Sequence, residues 1–135
     1  MRQRPLAALL PALALAALLL AAGCQSMPRL LGGGGGDLRL VLDGEQEHSG
    51  SLHAGRLLTL DMRDPATSGY AFAGTSFDPG LLRLDGIVPG DDGRVRYQFT
   101  ALAAGQCDVE IKIRRDEPGK RYRPDVFKII HVTVN

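Results

Sequence analysis

The chain has 135 residues, with 16 basic and 15 acidic side chains and a formal net charge of +1. Because this near balance leaves no basic excess to contact phosphate backbones, nucleic-acid binding is not expected. The stretch from residue 37 to residue 135 is long enough for one domain with one core, and it excludes a multidomain organisation.

The first 23 residues have the pattern of an export signal. Arg2 and Arg4 precede a Leu/Ala run over residues 6–22, and the run ends in small residues directly before Cys24. The sequence Leu-Ala-Ala-Gly-Cys at this point resembles the cleavage box of bacterial lipoproteins. That resemblance implies a signal peptide over residues 1–23 and lipid attachment to Cys24. An uncleaved anchor and plain secretion are the alternatives.

Residues 24–36 are predicted to connect the lipid to the folded domain. They show no apolar periodicity and close with five glycines, a composition typical of a flexible tether. Gln25 follows the cysteine, and the resemblance to Gram-negative lipoproteins then implies the outer membrane. The domain would face the periplasm or the cell surface.

From residue 37 onward, apolar and polar residues alternate in short runs. The clearest run places Cys107, Val109 and Ile111 against Asp108 and Glu110. Such alternation is typical of antiparallel strands with one face in a core and one in water, and no segment has a helical pattern. A phase change in the last run predicts a bulge near residues 129–130. The seven predicted strands cover residues 38–42, 58–62, 70–76, 81–88, 94–102, 106–114 and 127–134.

Turn-forming residues separate these runs at the spacing of a β-sandwich. The sequence therefore predicts an all-β domain over residues 37–135, an immunoglobulin-like antiparallel β-sandwich of about seven strands. Once Cys24 carries lipid, Cys107 is the one remaining thiol, so no intrachain disulfide is possible. Its phase in the strand predicts a buried, inert side chain.

The loop after the second predicted strand carries the clearest functional signal. It reads Asp-Pro-Ala-Thr-Ser-Gly-Tyr over residues 64–70, where Pro65 and Gly69 favour a turn that exposes Thr67 and Ser68. The segment resembles the Asn-Pro-Thr-Thr-Gly-Tyr loop of the chagasin family, protein inhibitors of papain-like cysteine proteases. Two departures are an aspartate at position 64 and one extra residue after Pro65.

A second loop supports the same resemblance. The chagasin family has a Gly-x-Gly-Gly type turn, then a strand, then an Ala-Ala-Gly turn. Here Gly-Asp-Asp-Gly at 90–93 is followed by the strand over 94–102 and by Ala-Ala-Gly at 103–105. The matching order extends the resemblance over residues 43–134.

The third loop, over residues 115–124, departs from the family. The family has Arg-Pro-Trp after the preceding strand, whereas this chain has Arg-Arg-Asp at 114–116 and no tryptophan at all. Loss of an aromatic anchor at an interface commonly costs about 2 kcal/mol or more. Binding is then weaker, or Tyr122 replaces the anchor, or the target differs.

The resemblance implies a reversible, non-covalent inhibitor that places three loops in the active-site cleft of a papain-like cysteine protease. We expect the protein to act as a monomer, attached to the membrane through its N-terminal lipid. The alternative is an interaction module of the same fold whose inhibitory loop has degenerated. The implied protease-binding residues are Thr67, Ser68, Gly69, Tyr70, Gly90, Asp91, Asp92, Gly93, Arg114 and Arg115.

Catalysis is not expected from this sequence. The three histidines, His48, His53 and His131, stand neither in metal-ligand spacing nor beside a nucleophile. His131 falls opposite the core phase and is predicted at the surface. The adjacent Asp91 and Asp92 are flanked by glycines, as in a solvated turn. We therefore expect no enzyme activity, no metal and no cofactor.

Overall fold

The structure is a computed structural model that describes residues 36–135, most of which belong to eight strands. The predicted signal sequence, Cys24 and all of the tether except Gly36 lie outside the described residues. The strands are β1 (Leu38–Val41), β2 (Glu47–Leu52), β3 (Leu57–Arg63), β4 (Tyr70–Ser76), β5 (Leu82–Pro89), β6 (Arg94–Ala101), β7 (Gly105–Arg115) and β8 (Asp125–Val134).

The strands form two four-stranded sheets, in the orders β1-β3-β6-β5 (sheet A) and β2-β8-β7-β4 (sheet B). This confirms the predicted all-β sandwich, with eight strands where seven were predicted. The additional strand is β2, whose sequence Glu-His-Ser-Gly-Ser-Leu buries only Leu52. Because β2 is an edge strand made mostly of polar residues, it lacks the apolar alternation that identified the others.

The sheets are mixed rather than antiparallel throughout. β1 pairs with β3 and β2 pairs with β8 in parallel, whereas the other pairs are antiparallel. The prediction of purely antiparallel sheets was wrong because the chain crosses from β1 into the other sheet and then returns. It re-enters sheet A as β3, running in the same direction as β1.

The core between the sheets comes from the inward-facing alternate residues of the central strands. In β6, every second residue from Val95 onward is buried, as the period-two pattern predicted. Phe72 of β4 and Phe77, the residue just after β4, contact Tyr97 and Phe99 of β6 edge to face, with ring centroids 5.3 and 5.2 Å apart. These aromatic pairs fix β4, and with it the loop that leads into β4, against sheet A.

The predicted bulge in β8 exists, but it lies at a different residue. Ile111 of β7 pairs with Lys128 and the next residue of β7 pairs with Val126, so Phe127 is the extra residue. The bulge therefore precedes the predicted position at 129–130. Its position brings Lys128 into the same phase as the core residue Ile130, which is why this lysine is buried.

The structure bears on two single-residue predictions. Cys107 packs against the core but is only partly buried, so its predicted burial is confirmed in part, and burial raises the pKa of its thiol. The predicted surface position of His131 is confirmed. His131 is half exposed on the outer face of sheet B, where its Nδ1 lies 2.7 Å from Oδ1 of Asp108. The hydrogen bond to Asp108 raises the pKa of His131.

An ion cluster is centred on the outer face of sheet A. The side chain of Asp61 in β3 is 1% exposed and accepts hydrogen bonds from Arg94, Arg39 and Arg96. Burial alone would raise the pKa of Asp61, but the three arginines outweigh it and lower the pKa to about 2. Arg94 also reaches Asp43 at 3.2 Å. The cluster therefore joins the start of β6 to β3 and to the segment after β1.

The chain enters and leaves the sandwich at the same end. Oδ1 of Asp37, just before β1, accepts a hydrogen bond of 3.0 Å from the amide of Leu57, where β3 begins. The C-terminal Asn135 accepts one of 3.0 Å from the amide of Ala54, in the β2–β3 connection. Among the described residues, no helix has the length and apolar character needed to cross a membrane.

Candidate functional site

Three loops gather at the opposite end of the sandwich. We call them L1 (residues 64–69, between β3 and β4), L2 (residues 90–93, between β5 and β6) and L3 (residues 116–124, between β7 and β8). The amide of Asp64 donates to the carbonyl of Gly93 at 2.8 Å, and the amide of Asp116 donates to the carbonyl of Gly69 at 3.0 Å. L1 is therefore hydrogen-bonded to L2 on one side and to L3 on the other.

L1 is a single turn of 3₁₀ helix, Pro65–Ser68, rather than an irregular loop. Oδ1 of Asp64 caps the turn by accepting a hydrogen bond of 2.9 Å from the amide of Ala66. Pro65 at the first position has a fixed φ suited to a helix start, and its ring is buried. Gly69 ends the turn with φ of +79°, which a side chain would disfavour.

The tip of L1 is exposed, as the sequence predicted. Thr67, Ser68 and Gly69 are all exposed, whereas Tyr70 at the base is half-buried. The hydroxyl of Thr67 donates to the carbonyl of Asp64 at 2.7 Å. Its methyl group lies 3.3 Å from where a Cβ on Gly93 would stand. Thr67 thus lies close to L2 while presenting its outer surface to solvent.

L2 is a tight turn that projects two carboxylates. Asp91 and Asp92 are exposed, and Asp92 has φ of +56°, a left-handed conformation that aspartate tolerates. The turn is closed by a hydrogen bond of 2.8 Å from the amide of Gly90 to the carbonyl of Arg94. L2 is therefore compact, and no basic side chain lies within it.

L3 is held together by its own side chains and by the last residue of β7. The guanidinium of Arg115 lies over the ring of Tyr122, 5.7 Å from its centroid, and the Tyr122 hydroxyl donates to Glu117. Glu117 also pairs with Lys120 at 2.7 Å. Hydrogen bonding to Tyr70 and Tyr122 raises the pKa of Arg115, so this cation also links L3 to the base of L1.

The structure brings all ten predicted binding residues to this one end of the sandwich. Their role in binding a protease stays a prediction. Sequence reasoning missed the helical turn in L1, although Asp-Pro at its start is a recognisable helix-start signal. It also missed Asp64 as a cap and Glu117 as the partner of Tyr122. The second of these has no local sequence signature.

A small apolar depression lies beneath L1. Half of its lining residues are apolar or aromatic, Pro65, Tyr70, Ile113 and Phe127, and the others are Arg63, Asp64, Thr67 and Ser68. Among residues 36–135, no group of three His, Cys, Asp or Glu side chains converges as metal ligands.

No family model matches the sequence, and a search of curated proteins gives no match. Solved structures do match. The cysteine protease inhibitor EhICP2 from Entamoeba histolytica is 16% identical, with a TM-score of 0.57 over 74% of this chain and 96% of that chain. PbICP-C, solved in complex with falcipain-2, is 18% identical, with a TM-score of 0.54 over 73% of this chain and 99% of that chain. The chain therefore shares the fold of a class of proteins that includes a cysteine protease inhibitor.

Proposed function

We propose that this protein is a reversible, non-covalent inhibitor of papain-like cysteine proteases. The observation that supports this most is the arrangement of L1, a compact capped turn that protrudes between two loops hydrogen-bonded to it. The same fold is found in a cysteine protease inhibitor and in a protein bound to falcipain-2. An exposed loop with a second loop on each side can enter a narrow cleft, while the outer loops contact its two walls.

In the proposed complex, L1 enters the active-site cleft. Thr67, Ser68 and Gly69 approach the catalytic cysteine, and Tyr70 supports the base of the loop. Because residues 65–68 are coiled into a 3₁₀ turn, the chain does not present the extended backbone that a protease cleaves. The loop fills the site without becoming a substrate, and no covalent step is needed.

L2 and L3 would contact the two walls of the cleft. Gly90, Asp91, Asp92 and Gly93 face one wall, and the cations at 114 and 115 face the other. Tyr122 does not substitute for the missing tryptophan as a free anchor, because its ring lies under a guanidinium and its hydroxyl bonds within L3. The three loops are already ordered against one another, which reduces the entropy lost on binding.

The domain from Asp37 onward is expected to inhibit papain competitively at micromolar concentration or below and to remain intact. The reason is that L1 blocks the cleft in a non-extended conformation. Steady-state kinetics with increasing substrate, together with mass spectrometry of the inhibitor after incubation, check both parts. Unchanged activity across papain and several cathepsin-like enzymes would contradict the proposal.

The same experiment separates the proposal from the alternative of a cell-envelope interaction module. The observation that favours the alternative is the absence of tryptophan, together with the departure of residues 114–116 from the family pattern. An interaction module with a different partner would bind no papain-like enzyme. It would still show the same folded sandwich.

We also propose that the domain is held at the outer membrane by lipid on Cys24, facing the periplasm or the cell surface. Replacing Cys24 by serine is expected to move the protein from the membrane fraction to the soluble fraction without unfolding the domain. Cell fractionation with immunoblotting gives the answer, and Ser26→Ala serves as the control. A Cys24→Ser protein that still pellets with membranes would show that another feature holds it there.

A further inference from the structure

The loop end of the molecule carries opposite charge on its two sides. L2 has two exposed aspartates and no cation. Residues 114–124, which comprise L3 and the end of β7, contain five basic and two acidic residues. Because L1 lies between L2 and L3, the negative and positive sides are separated by the loop that is proposed to enter the cleft.

Some of the positive charge is neutralised within the molecule and some is not. Lys120 pairs with Glu117. No ion pair between described residues involves Arg114, Arg121 or Arg123, all of which are exposed. These three guanidinium groups are therefore available to a charged partner.

The cations of L3 and of the end of β7 also surround a recess. A notch of about 370 Å³ opens between the end of β7 and the second half of L3, residues 120–122. Its one lining carboxylate, Asp116, is outnumbered by the cations. The lining residues are Arg114, Arg115, Asp116, Lys120, Arg121 and Tyr122.

One part of the notch is preorganised. Tyr122 is hydrogen-bonded to Glu117 and lies under Arg115. These two lining side chains of the notch, Arg115 and Tyr122, are therefore held in place before any partner arrives. Guanidinium groups bind carboxylates through two parallel hydrogen bonds, and this recognition is strongest where the donors are already positioned.

Resting on the proposed inhibitory function, we propose that this notch, which we call the L3 notch, binds an acidic side chain from one wall of the protease cleft. The L3 notch would then select papain-like enzymes that carry an aspartate or glutamate on the wall facing L3. An ionic contact would take the place that the family gives to a tryptophan. The opposite wall, facing Asp91 and Asp92, would be neutral or basic.

The test uses the full-length chain in detergent with papain as the probe, at 25 and 300 mM NaCl. Arg121→Glu reverses one charge in the L3 notch, and Arg56→Glu makes the same change at an exposed site on the other end of the sandwich. We expect Arg121→Glu to weaken inhibition about tenfold at low salt and much less at high salt, because salt screens the contact. Arg56→Glu should stay within about twofold of the wild type.

Variants of papain identify the protease carboxylate that is proposed to bind in the L3 notch. The carboxylates along each wall of its cleft are changed to amides, one wall per variant. We expect one wall variant, and only one, to weaken the wild-type inhibitor and to remove the difference between wild type and Arg121→Glu. Equal effects of Arg121→Glu and Arg56→Glu, or no effect of either wall, would overturn the L3 notch proposal while leaving inhibition intact. Absence of inhibition by the wild type would instead refute the proposed function, and this inference with it.

Discussion

Replacing Thr67 by arginine is expected to reduce inhibition of papain at least thirty-fold, about 2 kcal/mol of binding free energy or more. The side chain stands at the exposed tip of L1, and a long cation there would have to enter the narrowest part of the cleft. The substitution also removes the hydrogen bond to the carbonyl of Asp64 and the methyl group that lies beside Gly93. Inhibition constants from competitive assays measure the loss.

Two controls separate the effect of size at the tip from a general effect on the fold. Ala104→Arg adds the same side chain at an exposed position in the loop between β6 and β7, at the other end of the sandwich. Thr67→Ser keeps the hydroxyl that bonds Asp64. Both should inhibit within about threefold of the wild type, with circular dichroism unchanged in all variants. Equal inhibition by Thr67→Arg and Ala104→Arg would show that L1 does not enter the cleft.

Replacing Asp61 by asparagine is expected to lower the free energy of unfolding by about 2–3 kcal/mol at neutral pH. The substitution leaves three arginine side chains converging on a buried amide that cannot neutralise them. The loss should be smaller than for a fully buried ion pair, since Arg39 is 57% exposed and can turn toward water. Urea denaturation followed by circular dichroism gives the difference.

The pH dependence provides a second test of the same cluster. The pKa of Asp61 is about 2 in the folded protein, below its ordinary value of 3.8. The stability that Asp61 contributes is therefore fully present above pH 4 and is lost as the pH falls toward 2. The difference between wild type and Asp61→Asn should shrink over this window. A difference that stays constant over this window would contradict the lowered pKa of Asp61.

The strands that could be predicted from the sequence are those with one face in the core and the other in solvent. In β7, Val109 and Ile111 face the core and Glu110 between them faces outward, so the period of two is plain. β2 was not predicted because, as an edge strand, its position depends on backbone pairing with β8 rather than on a buried face. The position of the β8 bulge likewise depends on pairing with β7. Neither the pairing of β2 with β8 nor that of β8 with β7 can be deduced from a single sequence.

For the site, the sequence located the loops but not their internal contacts. The Thr-Ser-Gly-Tyr segment and the Gly-Asp-Asp-Gly turn stand where the pattern placed them, at one end of the sandwich. The stack of Arg115 on Tyr122 and the bond from Tyr122 to Glu117 depend on how L3 folds back on itself. Such contacts have no periodicity, so only the three-dimensional arrangement reveals them.

The parallel pairing of β1 with β3 also determines which way the molecule faces. Since β3 runs toward L1 and β1 is parallel to it, β1 starts at the end of the sandwich opposite the loops. There, Asp37 accepts a hydrogen bond from the amide of Leu57. Asn135, the last described residue, lies at the same end. A support or label attached at Asp37 or at Asn135 is thus placed behind the domain, and L1, L2 and L3 point away from it. Immobilisation at either of these two residues would leave the three loops free to meet an enzyme arriving from solution.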